Sequence, residues 1–249
     1  MSDPLPPGAT IGILGGGQLG RMLAMAAARL GYRTHIFEPG AAPAAQVANE
    51  WTQADYTDGS ALATFVAAVD VITFEFENVP ASALDLLEAT RPIRPGRDAL
   101  AVSQDRLTEK TFLQSLGLRT APFRDIPDVD ALAAALAEIG TPAILKTRRL
   151  GYDGKGQVRI DDPANAAGAF EAMAGADAIL EGVVPFEREI SVIAGRGLSG
   201  EVVCYDPGEN VHRGGILRTT TLPATLSGAQ RTDAVLLAGR ILNALDYVG

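Results

Sequence analysis

Residues 10–31 read TIGILGGGQLGRMLAMAAARLG, and this stretch decides the fold. Thr10 to Leu14 is a short apolar run that stops at Gly15-Gly16-Gly17, the pattern of a buried strand running into a tight turn. Behind the turn, Leu19, Met22, Leu23, Ala26 and Leu30 recur at three- and four-residue steps, which predicts a helix with one apolar stripe and Gly31 as its stop. Working outward, residues 33–37 read as the next strand, 59–68 as a helix, 70–76 as a strand and 80–89 as a helix with proline near its first turn. Ile93 reads as a last short strand. Strands and helices that alternate in this way build a parallel sheet with helices on its faces.

A segment rich in proline and glycine, residues 91–96, marks a first boundary, and residues 98–116 read as helical up to Gly117. Beyond Pro122 the pattern changes to a helix at 129–139, a strand at 143–147, a glycine-rich loop at 148–156, a strand at 157–160 and a helix at 163–173. A short strand at 179–181 follows, then a strand at 189–194 with Ile190, Val192 and Ala194 on one face, a turn, and a strand at 201–205. Residues 232–245 form an amphipathic helix, and 246–249 read as the turn into another strand, so the sequence is expected to be a fragment. The second part is therefore expected to be α+β.

Composition narrows the function. The chain has 249 residues, 30 acidic against 21 basic, and a net charge of −9, which argues against nucleic acid as the main partner. With 47% hydrophobic and 20% charged residues it can bury a core and is not a disordered acidic tail. Cys204 is the only cysteine, the N-terminus lacks the basic and apolar segments of a signal peptide, and no apolar run reaches about 18 residues. A cytoplasmic protein with no membrane span is expected.

Several clusters could carry chemistry. Gly15-x-Gly17-x-x-Gly20, with Glu38 at the end of the second strand, fits a dinucleotide fingerprint: glycines admit a phosphate to the backbone and a carboxylate holds a ribose hydroxyl. Any doubly wound sheet also wants small residues there. The stretch from Lys146 to Gln157, KTRRLGYDGKGQ, is basic and flexible in an acidic protein. Lys146 at a strand end suits a nucleotide phosphate, and Gly151, Gly154 and Gly156 suit a flap of backbone N–H groups, although the order is not that of a Walker loop. An ordinary solvated hairpin is the other reading. Glu181-Gly182-Val183-Val184 reads as a hinge strand able to pair an adenine edge, and Glu189 as an acceptor for ribose hydroxyls, though a solvated carboxylate is the commoner reading for either glutamate.

Glu75 and Glu77 flank Phe76 at the C-terminal end of a strand, where open α/β sheets bind ligands, and alternation puts both carboxylates on one face. His212 lies in a polar loop entering a strand. His35, in an apolar strand, is structural. Two histidines and one cysteine, far apart, support neither zinc nor a Cys/His nucleophile pair.

In order and spacing, GGGQLGRM, TFEFENVP, QDRLTEKTFL, LGYDGKGQ and ENVHRGGILRT resemble the carboxyaminoimidazole ribonucleotide synthases, ATP-grasp enzymes of purine synthesis. The resemblance covers nearly the whole chain. It implies a Rossmann-like pre-ATP-grasp domain over 1–97, a central and lid region over 98–195, and the start of a C-terminal ATP-grasp domain over 196–249. It implies ATP-dependent ligation of bicarbonate to the exocyclic amine of aminoimidazole ribonucleotide through carboxyphosphate, with magnesium, and a homodimer when full length. Carried over by position, Arg106 and Lys146 contact ATP phosphates, Gly151 to Gln157 form the lid loop, Glu181 to Val184 hold adenine, Glu189 binds ribose, and His212 lies in the nucleotide site. Glu75, Tyr152 and Asp153 face the aminoimidazole ribonucleotide, with Tyr152, Asp153 and Lys155 as the catalytic candidates. Lys155 stands where the family often has arginine, and lysine lacks the bidentate fork for bicarbonate or carboxyphosphate. The family's magnesium-binding carboxylates lie past the position of Gly249, so this chain alone is expected to be at best a weak ATP binder. The alternatives are another ATP-grasp carboxylase, an NAD(P)-binding oxidoreductase, and a non-catalytic nucleotide-binding module.

Overall fold

The computed structural model describes residues 4–151 and 154–249. The chain packs as two units: one runs to Ala101 and takes in Arg196–Glu201 and Leu245–Gly249, and the other comprises Val102–Gly195 and Val202–Ala244. No helix among the described residues is long and apolar enough to cross a membrane.

In the first unit the chain runs β1 (Thr10–Leu14), α1 (Gln18–Arg29), β2 (Arg33–Phe37), β3 (Glu50–Thr52), α2 (Gly59–Ala67), β4 (Val71–Phe74) and α3 (Ala81–Glu88), and α4 (Arg97–Ser103) carries it onward. The strands form a sheet in the order β3-β2-β1-β4, with every pair parallel. Ile93 adds a single parallel bridge to Ile72. Strand alternation sorts the core: Leu14, Phe37 and Ile72 pack with Leu62, Phe65, Leu84 and Leu87 on one face, and Ile13 and Ile36 pack with Ala24 and Ala44 on the other. Each large side chain so buried contributes about 1.5–3 kcal/mol of transfer free energy. Asp58 starts α2 by accepting hydrogen bonds from the N–H groups of Ser60 and Ala61.

Helix α1 corrects the expected stripe. It buries Gly20, Ala24 and Ala27, whereas Leu19, Met22, Leu23 and Leu30 are exposed. The reason is close approach: a Cβ on Gly20 would stand 2.9 Å from the carbonyl oxygen of Gly15, so only the smallest residues fit beneath the helix. Strand β3 is also new. It is three residues long, too short to show a period.

His35 is buried in β2, with Nε2 2.8 Å from Thr52 Oγ1 and its ring edge-on to Phe65 at 4.9 Å. Among the described residues its Nδ1 has no hydrogen-bond partner, and it lies 3.8 Å from Glu50 Oε2. Burial lowers its pKa below the ordinary histidine value, against the pull of Glu50. The unfolded chain therefore binds the proton more readily. The stability this gives is full above about pH 6.5 and is lost as pH falls toward the folded value, by up to about 1.4 kcal/mol per unit of depression. Thermal unfolding at pH 5 and pH 7 should show this loss in the wild type and a smaller one in His35→Gln; equal losses would remove His35 as the cause.

The second unit begins with α5 (Arg106–Ser115), β5 (Phe123–Ile126), α6 (Val129–Ile139), β6 (Ala143–Thr147), β7 (Gln157–Ile160), α7 (Ala166–Glu171) and β8 (Ala178–Gly182). The chain continues with β9 (Glu189–Ser191), β10 (Ala194–Arg196, whose last residue belongs to the first unit), β11 (Val202–Cys204), β12 (Gly208–Arg213), β13 (Ile216–Thr221) and α8 (Gly228–Ala244). An antiparallel sheet in the order β5-β8-β6-β7 holds Ile126, Leu145, Ile160 and Leu180 against Leu132, Leu136 and Met173. A second antiparallel sheet has the order β13-β12-β9, and β10 pairs with β11.

Three readings change here. The expected strand at 189–194 is two strands, because Glu189–Ser191 pairs with β12 while Ala194–Arg196 turns to β11. His212 lies in strand β12, not in a loop, its polar neighbours sitting on a largely exposed hairpin. The helix expected at 163–173 opens as a 3₁₀ turn, Pro163–Asn165, and becomes α-helical only at Ala166.

Candidate functional site

In the first unit, the turn after β1 brings the glycines and two acids together. Gly15 has φ +106°, which lets its N–H reach the Phe37 carbonyl at 3.0 Å while the chain swings into α1. The next two amides point at the protein's own carboxylates: Gly16 N–H donates to Glu38 Oε2 at 3.1 Å and Gly17 N–H to Glu75 Oε1 at 2.6 Å. A dinucleotide phosphate would need those same donors, and two carboxylates repel it from the helix N-terminus. The geometry therefore opposes the oxidoreductase reading. Tyr56 lies beneath the turn and donates to the Phe37 carbonyl at 3.3 Å. Burial, followed by the nearby Glu38 and Glu75, pushes its phenol well above the usual tyrosine range. Glu75 is half-buried, whereas Glu77 is exposed.

The second unit gathers the basic residues. Ile144 on β6 faces Glu181 on β8, so Lys146 is the diagonal neighbour of Glu181 on the same face. Lys146 Nζ stands 3.0 Å from Glu181 Oε2, and Lys110 Nζ, from α5, stands 3.4 Å from the same oxygen. The side chains are 22%, 16% and 10% exposed for Lys146, Lys110 and Glu181, so this is a partly buried cluster with two cations on one anion. Such a surplus favours an incoming phosphate. Glu109 lies near the same charges; desolvation by the surrounding protein raises its pKa, against the pull of Lys110 and Arg106.

Arg106 occupies the first turn of α5, and its Nη2 donates to the Gly151 carbonyl at 3.0 Å. Across the loop, Thr147 N–H donates to the Gly156 carbonyl at 2.8 Å, which joins the two stems of the glycine-rich segment. A Cβ on Gly154 would stand 3.7 Å from the Gly214 carbonyl oxygen, so the loop lies beside the β12–β13 turn. Lys155 and Gln157 belong to the same stem, with Gln157 paired to Lys146 in the sheet. Tyr152 and Asp153, expected at the substrate and in catalysis, lie outside the described residues.

The remaining expected nucleotide residues divide into two groups. Glu181 gives its carboxylate to the lysines, while Gly182 N–H donates to the Pro122 carbonyl at 2.9 Å and Val183 N–H to the Pro142 carbonyl at 3.2 Å. Val184, next in the chain, is half-exposed. Glu189 and His212 meet across β9 and β12, with Nδ1 3.2 Å from Oε1. Lys110 escaped sequence reasoning, although it stands four residues from Arg106 on one helix face, the spacing at which two cations can converge. Its partner Glu181 is remote in sequence and gave no local sign.

With this geometry in place, comparison with known proteins gives a consistent picture. A family model described as the ribonucleotide synthetase preATP-grasp domain matches residues 8–104, and the ATP-grasp domain model matches residues 111–249. The N5-carboxyaminoimidazole ribonucleotide synthase of Brucella melitensis is 58% identical over 98% of this chain, which covers 68% of that protein. A crystal structure of the ADP complex of an N5-carboxyaminoimidazole ribonucleotide synthetase superposes with a TM-score of 0.95 at 39% identity, over 100% of this chain and 66% of the other. The Aspergillus clavatus synthase, solved with ADP and 5-aminoimidazole ribonucleotide, gives 0.89 at 27% identity, over 98% and 64%. The chain thus spans about two thirds of the length of these relatives.

Proposed function

The chain belongs to the N5-carboxyaminoimidazole ribonucleotide synthases, a family of ATP-grasp enzymes, and on that premise we propose that it serves an ATP-dependent carbon–nitrogen ligase that joins bicarbonate to the exocyclic amine of 5-aminoimidazole ribonucleotide. The observation that supports this most is the pair of lysines on one Glu181 oxygen, with Arg106 at the base of the glycine-rich loop.

In this reading a bicarbonate oxygen attacks the γ-phosphorus of ATP, ADP leaves, and carboxyphosphate forms. The substrate amine then attacks the carboxyl carbon, phosphate leaves, and the nitrogen gives up a proton. Lys146 and Arg106 spread the charge of the phosphoryl oxygens, and the loop of Gly151, Gly154, Lys155, Gly156 and Gln157 excludes the water that would destroy carboxyphosphate. The Glu181 to Val184 stretch holds adenine, Glu189 with His212 binds the ribose, and Glu75 receives the amine-bearing substrate. Tyr152 and Asp153 are assigned to that substrate by position alone. Magnesium is expected to accompany ATP and supply further phosphate charge neutralisation. Among the described residues no group of three or more His, Cys, Asp or Glu stands together. The proposal also includes the division at 1–97, 98–195 and 196–249, a cytoplasmic location and a homodimer.

Calorimetric titration of this chain with ATP, ADP and NAD tests the reading. ATP and ADP should bind, weakly in this chain alone, NAD should not, and Lys146→Met should weaken ATP about 10- to 100-fold, as losing a charged hydrogen bond of about 1.5–3 kcal/mol requires. Binding of NAD in place of ATP, or ATP binding indifferent to Lys146→Met, would sink it.

A further inference from the structure

The residues just before α5 and those just after β6 are fastened together. Arg106 N–H donates to the Arg148 carbonyl at 3.0 Å, Arg106 Nη2 to the Gly151 carbonyl at 3.0 Å, and Arg149 Nη2 to Gln104 Oε1 at 2.9 Å. At the centre stands Asp105. Its carboxylate accepts from the N–H groups of Leu107 and Thr108, capping α5, and it also receives Arg148 through Nε and Nη2, at 2.8 Å from the latter. The third guanidinium nitrogen, Nη1, reaches Asp125 at 3.2 Å. One planar fork therefore joins the helix cap, the strand end and β5, a geometry that lysine cannot reproduce.

The Arg148 charge is more than balanced. Asp105 and Asp125 touch it, and Asp177 lies close enough to add to the field; together they hold the guanidinium above its usual range. Burial pushes the Asp105 carboxyl up, but the Arg148 hydrogen bonds and the capped N–H groups outweigh it and hold it below the usual carboxylate range. A guanidinium so neutralised is a poor phosphate anchor. Arg106 has no such anion within ion-pair distance among the described residues; its guanidinium leans on a loop carbonyl.

We propose that Arg148 is a positioning residue: by gripping Asp105, it sets the Arg106 guanidinium and the first stem of the glycine-rich loop in a single register, so that both meet the nucleotide phosphates together. This rests on the nucleotide reading above. The expected effect is selective, because Arg148 acts on the groups that meet phosphates and not on those that would hold adenine or ribose.

The test is titration of the 249-residue chain and its Arg148→Met, Arg148→Lys and Asp105→Asn variants with ATP and with adenosine, beside amide hydrogen exchange. Arg148→Met should weaken ATP at least about tenfold, a loss of about 1.4 kcal/mol, leave adenosine within about twofold, and speed exchange together at residues 106–108 and 148–151. Arg148→Lys should fall between wild type and Met. Asp105→Asn keeps a capping oxygen but loses the ion pair, so it should reproduce the ATP loss; it also carries the test if Arg148→Met does not fold. ATP affinity within twofold of wild type in a folded variant, or equal losses for ATP and adenosine, overturns the proposal. A wild type that binds neither ligand even at concentrations of about 10 mM, where weak sites fill, overturns the nucleotide reading itself, and this inference with it.

Discussion

Replacing Glu181 by leucine is expected to destabilise the second unit by about 3 kcal/mol, the low end for breaking a buried ion pair. The low end applies because Lys146 and Lys110 keep 22% and 16% of their side chains in contact with solvent. The loss arises because two ammonium groups stay where the fold put them without their shared anion. A second variant separates this from lost packing: with Glu181→Leu, Lys146→Met and Lys110→Met combined, the two ammonium groups leave with their shared anion, Glu109 keeps Arg106 as its nearby cation, and most of the stability should return, while ATP binding should disappear. Urea unfolding followed by circular dichroism reads both. A single Glu181→Leu change that costs less than about 1 kcal/mol would falsify the view that this carboxylate holds the lysines in place.

A loss of similar size is expected from Gly15→Ala in the first unit. Gly15 has φ +106°, and a Cβ there would stand 2.8 Å from Glu75 Cγ and Oε1 and 2.9 Å from Phe76 Cβ. Backbone strain of about 1–3 kcal/mol adds to an overpacking cost of about 1–3 kcal/mol. Gly8→Ala is the natural control, since Gly8 also has positive φ, +91°, but a Cβ there meets nothing within 4 Å. Gly8→Ala should therefore show the strain alone, and Gly15→Ala should exceed it by about 1–3 kcal/mol. The Gly17 amide resonance should move as well, because displacing Glu75 breaks its 2.6 Å hydrogen bond. If the two variants unfold at the same urea concentration, the close approach of Glu75 has no energetic weight.

Much of the first unit was legible because its strands carry their own punctuation. Thr10–Leu14 is an apolar run that stops at Gly15, Arg33–Phe37 follows the helix stop at Gly31, and the limits of both stand as read. The α1 stripe was not legible: hydrophobic periodicity assumes that the large residues face the core, and here the glycine turn leaves room only for Gly20, Ala24 and Ala27. In the second unit, β5 went unseen because Arg124 and Asp125 interrupt four residues that still pair fully with β8. Strand β12 read as a polar loop entering a strand because so many of its residues are polar and face solvent. For the candidate site, Lys146, Glu181, Glu189 and His212 were each visible singly. The pairings of Lys146 with Glu181 and of His212 with Glu189 depend on strand order, which local sequence does not state. Lys110 and Arg148 were missed for the same reason, their partners being supplied by other elements.

The acids seated in the glycine turn bear on how such a domain can change allegiance. While Glu38 and Glu75 accept from the Gly16 and Gly17 amides, a pyrophosphate arriving at this turn would have to displace a carboxylate from each. Three glycines at this spacing therefore mark a hinge between strand and helix, and whether the hinge can seat a ligand is decided by the side chains that already plug it.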